Sequence, residues 1–327
     1  MKFKLFILAA IFTMCSSTNV SNSELKIVSL STTHTEIIDS LGAAENLVGI
    51  DSFYQTDLPI ERIDAYTVTA EDLKLLNPDL VVVAFDFNNI IEGLEKNKIN
   101  YIVLPPAKNL EEVYFQIQKV GEIVQKEQAA TSIVEDMKSK IDSLIKNNDF
   151  GDVSVFHEIG YSYGLYTVNQ NALIGNIYNT LGVTNIANLE EDIYGSGYPE
   201  FTDEKVIEAN PDFIIVGHSD YLNKDLSTRP GWNNLKAVSS GNVYFLDENL
   251  ANNWGTTTLQ LVENIVLTIG ESNKKTEIQI SYLLVSILAF MFIFNFGFKR
   301  INRRTKEKVW KAIITIFIFL RLTTEER

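Results

Sequence analysis

The chain has 327 residues, of which 46% are hydrophobic and 21% charged, and 42 acidic residues outweigh 28 basic ones for a formal net charge of −14. That balance suits a globular protein with room for two domains and excludes nucleic-acid binding by phosphate neutralisation. Cys15 is the single cysteine, so no intrachain disulfide can form.

Residues 1–23 read as a signal segment, with two lysines, an apolar run of about ten residues, then Cys15 and small polar residues. Cys15 stands where a lipoprotein would be cleaved and lipidated, although Met14 replaces the small residue usual there. The alternative is a cysteine inside a discarded or uncleaved signal.

An α/β lobe is expected over 24–108. "LKIVSL" is a buried-type strand, "STTHTEIIDSLG" a loop and short helix closed by Gly42, and "NLVGID" a second strand. Strand, helix and strand in so short a span form a βαβ unit, which implies a parallel sheet. "TAEDLKLLNPDLVVV" (69–83) then supplies a helix capped by Thr69, a stop at Asn77-Pro78, and a buried strand. "INYIVLP" is a further strand.

Residues 109–148 form a helical segment. Val113, Tyr114, Ile117 and Val120, then Val134, Met137, Ile141 and Leu144, keep helical spacing. No proline interrupts 126–146, so one helix of about 30 Å is expected as a stiff spine between lobes.

A second lobe is expected over 149–270, because the first pattern restarts there. "TDEKVIEANPDFIIV" (202–216) shares six of fifteen columns with the stretch at 69–83, including Thr, Glu, Asn-Pro-Asp and the closing Val. Around it come the strands "VSVFHEI", "GLYTV" and "NVYFLD", a helix closed by Gly182 and a last helix near 256–269. Residues 271–279 read as a linker. "ISYLLVSILAFMFIFNFGF" (280–298) is apolar and uncharged, enough for a transmembrane helix across about 30 Å of hydrocarbon. The tail at 299–327 is basic from Lys299 on, which places it in the cytoplasm and everything before the span outside. The apolar run at 309–320 is too short to cross comfortably. The expected fold class is therefore α/β, with two Rossmann-like lobes holding parallel sheets, one long helix joining them, and a C-terminal transmembrane helix. A cleft between the lobes is the place for a ligand.

Five stretches in this order, "IVSLSTTHTEIIDSLGAAENLVGID", "EDLKLLNPDLVVV", "IGNIYNTLGVTNIA", "EKVIEANPDFIIV" and "RPGWNNLKAVSSGNVYFLD", resemble the substrate-binding proteins of iron-complex and cobalamin ABC importers. The resemblance covers about 26 to 270. It implies a monomeric receptor that closes only slightly on its ligand and passes cobalamin, haem or a ferric siderophore to an ABC permease and its ATPase. It implies no catalytic residue, no metal site and no cofactor beyond the transported ligand. It also assigns Glu71 and Glu204, the third residue of each repeated stretch, to docking on basic pockets of the permease. Each sits in a first helical turn, where it also complements the helix dipole.

A large planar or macrocyclic ligand needs aromatic faces and few charges. Phe53, Tyr54, Phe85, Tyr163, Tyr198, Trp232 and Trp254 fall in loops expected at the cleft; for each ring alone core packing is the stronger claim, but as a group on loops they favour a cleft. His34, in the first cleft loop, is the best placed of three histidines to ligate a haem iron. "NNWGTTT" (252–258) has no arginine where the resembled proteins often carry two, which argues against a strongly anionic siderophore and leaves Arg229 and Lys224 as the nearby basic residues. The sequence thus favours a corrinoid, with haem or a ferric siderophore as alternatives. A tetrapyrrole chelatase or a sensor ectodomain is the remoter reading; no phosphate loop, nucleophile elbow or zincin motif is present.

Overall fold

The computed structural model describes residues 25–189, 192, 195–219 and 224–270. In the first lobe the elements run β1 (Ile27–Ser29), α1 (Thr32–Ser40), β2 (Leu47–Asp51), β3 (Glu61–Ile63), α2 (Ala70–Lys74), β4 (Leu80–Val83), α3 (Ile90–Asn97) and β5 (Tyr101–Val103). All five strands are parallel, in the order β3-β2-β1-β4-β5. Val28, Val81, Val82 and Val83 are buried. Such continuous apolar runs suit a sheet covered on both faces.

Two helices follow, α4 (Leu110–Ile123) and α5 (Glu127–Asn147), packed on each other. The second lobe contains β6 (Ser154–Gly160), β7 (Leu165–Thr167), α6 (Leu173–Thr180), β8 (Thr184–Asn185), β9 (Glu200–Phe201), α7 (Asp203–Ala209), β10 (Phe213–Val216), α8 (Lys236–Ser239), β11 (Val243–Phe245) and α9 (Glu248–Ala251). A last helix, α10, covers 258–270.

The second sheet corrects the expectation of parallel sheets in both lobes. Its order is β11-β10-β6-β7-β9, with β8 beside β6. β10 is parallel to β11 and to β6, and β6 to β8, but β6–β7 and β7–β9 are antiparallel. The link from Gly160 to Leu165 is far too short for a crossover helix, so β7 must fold back as a hairpin.

The repeated stretches occupy equivalent places. Thr69 caps α2 by accepting from the Asp72 N–H, and Thr202 caps α7 by accepting from the Lys205 N–H. Asn77 (φ 47°) and Asn210 (φ 45°) both take the left-handed conformation that asparagine tolerates, and the proline after each ends the helix. Asp79 Oδ2 then accepts from the Lys26 N–H ahead of β1, and Asp212 Oδ2 from the Ser154 N–H at the head of β6, both at 2.8 Å. Each Asn-Pro-Asp therefore stops a helix and ties the next strand to the first strand of its lobe.

The 21-residue α5 is the expected spine, about 32 Å long at 1.5 Å per residue. Val134, Met137 and Ile141 of α5 belong to one apolar cluster with Ile27 and Ile37 of the first lobe and Val155, Phe213 and Leu261 of the second. The membrane-crossing helix is a second correction. Among the described residues no helix is long and apolar enough to cross a membrane, and 280–298 lies outside them. The signal segment with Cys15 also lies outside.

Candidate functional site: the cleft between the lobes

A cleft of about 1110 Å³ separates the lobes. Its first wall comes from loops after the parallel strands: Leu30–Thr32 after β1, Asp51–Gln55 at the end of β2, Ala65 and Tyr66 after β3, Phe85 and Phe87 after β4, Pro106 and Ala107 after β5. This is the carboxyl edge of the sheet, where open α/β folds place their ligands. The opposite wall is built by Ile159, Val168, Leu173, Ile174 and Tyr198, and by 247–254 with Thr257 and Gln260.

Five of the expected ligand residues line this cleft, namely Phe53, Tyr54, Phe85, Tyr198 and Trp254. Tyr66 and Phe87 join them, and together the rings make a ladder. Phe53 meets Tyr66 edge-on at 6.3 Å, Tyr66 lies 4.4 Å from Phe87, Phe87 stacks on Phe85 at 5.2 Å, and Phe85 meets Trp254 edge-on at 6.1 Å. Tyr66 stands just past the carboxyl end of β3, a three-residue strand that the sequence pattern does not mark, so Tyr66 is not among the expected residues.

Three expected ligand residues lie elsewhere. Trp232 is fully buried in the second lobe, packed on Phe156, with its indole N–H donating to Asp203 Oδ1 at 2.7 Å. Tyr163 is 96% exposed in the β6–β7 turn and off the cleft wall. His34 is fully buried beneath Trp254. Of the basic residues near the site, Arg229 is buried against Glu158, with contacts of 2.5 and 2.8 Å, and its guanidinium lies 3.7 Å from the Tyr161 ring. Burial pushes Glu158 up, but hydrogen bonds from Arg229 and His218 outweigh it and hold the carboxylate below its usual range.

Gln116 on α4 fixes the Trp254 ring. An indole N–H only donates, so at 3.2 Å from Trp254 Nε1 the Gln116 oxygen faces the ring. The Gln116 amide then donates to the Pro105 carbonyl at 2.7 Å. The same Gln116 oxygen lies 3.0 Å from His34 Nε2, so His34 must carry its proton on Nε2. Burial lowers the His34 pKa to about 4, against a small rise from Gln116, and the ring is neutral. Glu36 on α1 adds a second brace. Its Oε2 accepts from the Thr256 N–H at 3.0 Å and its Oε1 from the Thr256 hydroxyl and from Ser40. The 254–256 loop of the second lobe is thus pinned to α1 and α4.

Among the described residues, four carboxylates border the cleft, Glu36, Asp51, Asp247 and Glu248, and no lysine, arginine or histidine does. No group of three His, Cys, Asp or Glu side chains among the described residues is arranged to hold a metal ion. Glu71 and Glu204 lie in the first turns of α2 and α7, exposed to solvent. Asn97 donates to Glu71 at 2.9 Å.

The comparisons agree with this architecture. An uncharacterised ABC transporter substrate-binding lipoprotein of Bacillus subtilis, YvrC, is 27% identical over 255 residues, which cover 75% of this chain and 79% of the relative. The periplasmic heme-binding protein RhuT of Roseiflexus sp. RS-1 superposes with a TM-score of 0.66 at 20% identity, over 76% of this chain and 99% of its own. The vitamin B12 binding protein BtuF of Vibrio cholerae gives 0.63 at 20% identity, over 76% and 98%. At such identities the two structures speak for the fold alone. Residues 27–250 match the periplasmic binding protein family, and with the two lobes, the spine helix and the cleft in place, the chain belongs to that family.

Proposed function

We propose that the chain is the substrate-binding protein of an ABC importer, taking a corrinoid into the inter-lobe cleft and handing it to a permease at the outer face of the cell membrane. The observation that carries the ligand choice is a wall of seven aromatic rings with no basic side chain among the described residues. The cleft exceeds the usual range of ligand pockets, roughly 300–1,000 Å³, as a macrocycle requires. Haem propionates and anionic siderophores call for arginine or lysine partners, which this wall lacks. The haem alternative also loses its histidine, since His34 is buried and bonded to Gln116; wall tyrosines such as Tyr66 and Tyr198 would have to serve instead. The lipoprotein relative supports an exported receptor, with Cys15 as the proposed site of lipid attachment.

Titration of the purified protein with cyanocobalamin, haemin and a ferric siderophore tests the reading, with tryptophan quenching and visible spectra as readouts. Trp254 faces the cleft, so a corrinoid is expected to quench it saturably. A shifted haem Soret band without corrinoid quenching would replace the corrinoid by haem, and silence with all three ligands would remove the transport reading.

A further inference from the structure

The four wall carboxylates are not equivalent. Glu36 is engaged by Thr256 and Ser40 in the brace between lobes, and Asp247 Oδ1 caps α9 by accepting from Asn249 N–H at 2.9 Å. Asp51 differs. It ends β2 at the carboxyl edge of the first sheet, is only 6% exposed, and borders the cleft beside Phe53 and Tyr66. Its Oδ1 accepts from the Phe53 N–H at 2.8 Å, while its Oδ2 receives no hydrogen bond. That oxygen keeps contact with the solvent of the cleft, so a ligand's donor can reach it where no protein donor does. Burial, with a smaller push from Asp64, raises its pKa, the direction expected of a carboxylate short of partners. The neighbouring ring faces attract positive charge, and Asp247 and Glu248 add negative potential from across the cleft.

We propose that Asp51 anchors and selects the ligand by charge: its unpaired oxygen takes an N–H donor or the positive charge of a metal chelate, so the cleft admits neutral to cationic chelates, prefers the cationic ones, and refuses anionic ones. The inference rests on the reading of the cleft as the binding site of an importer. It needs no particular macrocycle, because the discrimination lies in charge and hydrogen-bond donors and not in ring shape.

Two pairs of probes, each matched in scaffold and different in charge, test it on the whole protein. One is diaquocobinamide (cationic) against dicyanocobinamide (neutral); the other is ferrioxamine B with its free ammonium against the N-acetylated form. Haemin serves as the anion. Dissociation constants are measured at low and high salt for the wild type and for Asp51→Asn. In the pair that binds, the cationic member is expected to be favoured about tenfold, the scale of one charge-assisted hydrogen bond, and the preference should shrink with salt. Asp51→Asn should reduce the preference for the cationic member to about threefold or less, with a wild-type-like urea unfolding transition reporting that the variant is folded. The wild-type comparison stands even where the variant does not fold. Binding that ignores charge, a preference for haemin, or a preference that survives Asp51→Asn overturns the inference alone. No binding by either pair or by haemin overturns the importer reading and the inference with it.

Discussion

Gln116 offers one buried oxygen to two N–H donors, Trp254 Nε1 and His34 Nε2, and this leaves a signature in acid. His34 has an ordinary pKa of 6.5 that burial lowers to about 4 in the fold, and burial with the nearby His218 lowers His157 to about 3. Between those values and 6.5 the unfolded chain holds protons that the native state does not. Stability therefore is level above pH 7 and falls as pH drops from 6.5 toward 4. The shift at His34 corresponds to about 3 kcal/mol at its full extent. Urea unfolding between pH 7.5 and 4.5 should show a midpoint that declines in this window, with a shallower decline in His34→Gln; a flat profile would contradict the neutral buried ring. The residue scale also separates Trp232 from Trp254. Both follow loop-like sequence, but Trp232 meets Asp203 within its own lobe, whereas the partner of Trp254 is Gln116, far away in sequence.

At the scale of elements, the two Asn-Pro-Asp stretches perform one task with unequal support. Asp79 receives the Lys26 N–H, whereas Asp212 receives the Ser154 N–H, the Ser154 hydroxyl at 2.7 Å and the Lys236 ammonium. Asp212→Ala is expected to cost about 2–3 kcal/mol and Asp79→Ala about 1 kcal/mol, read as the difference in urea unfolding free energy. Equal losses would mean that the ties are interchangeable. Helix stops, caps and buried strands were legible in the sequence because each depends on neighbours a few residues away. The antiparallel pairing of β6 and β7 is less legible, because the short link from Gly160 to Leu165 is its one local signal.

For the whole molecule, α5, the apolar cluster that runs through both lobes and the Glu36–Thr256 brace tie the lobes together. Such ties favour a small closure on ligand binding over a wide hinge. The duplicated capped helices put Glu71 and Glu204 at equivalent exposed positions, one on each lobe. We propose that, as point charges for a permease's arginines, they act in delivery and not in capture. Glu71→Ala with Glu204→Ala is expected to leave the ligand dissociation constant within about twofold while abolishing uptake in cells; normal uptake by the double variant would end the docking assignment.

The one-dimensional pattern was sufficient for two α/β lobes, the spine, the repeat and the family, because periodicity, capping and chain stops are local and recur in order. It also pointed to aromatic loops as cleft material, since a ring just past a strand's carboxyl end has few other places to go. It could not sort wall rings from core rings. Phe85 and Trp254 reach the cleft and Trp232 does not, because packing between segments distant in sequence settles where each ring is buried. The charge of the site emerged only in three dimensions: the lobes bring Asp51 and Asp247 to one cleft while Arg229 is drawn inward to Glu158. A buried carboxylate needs a cation more than a distant cleft does, and that preference is a property of the assembled fold.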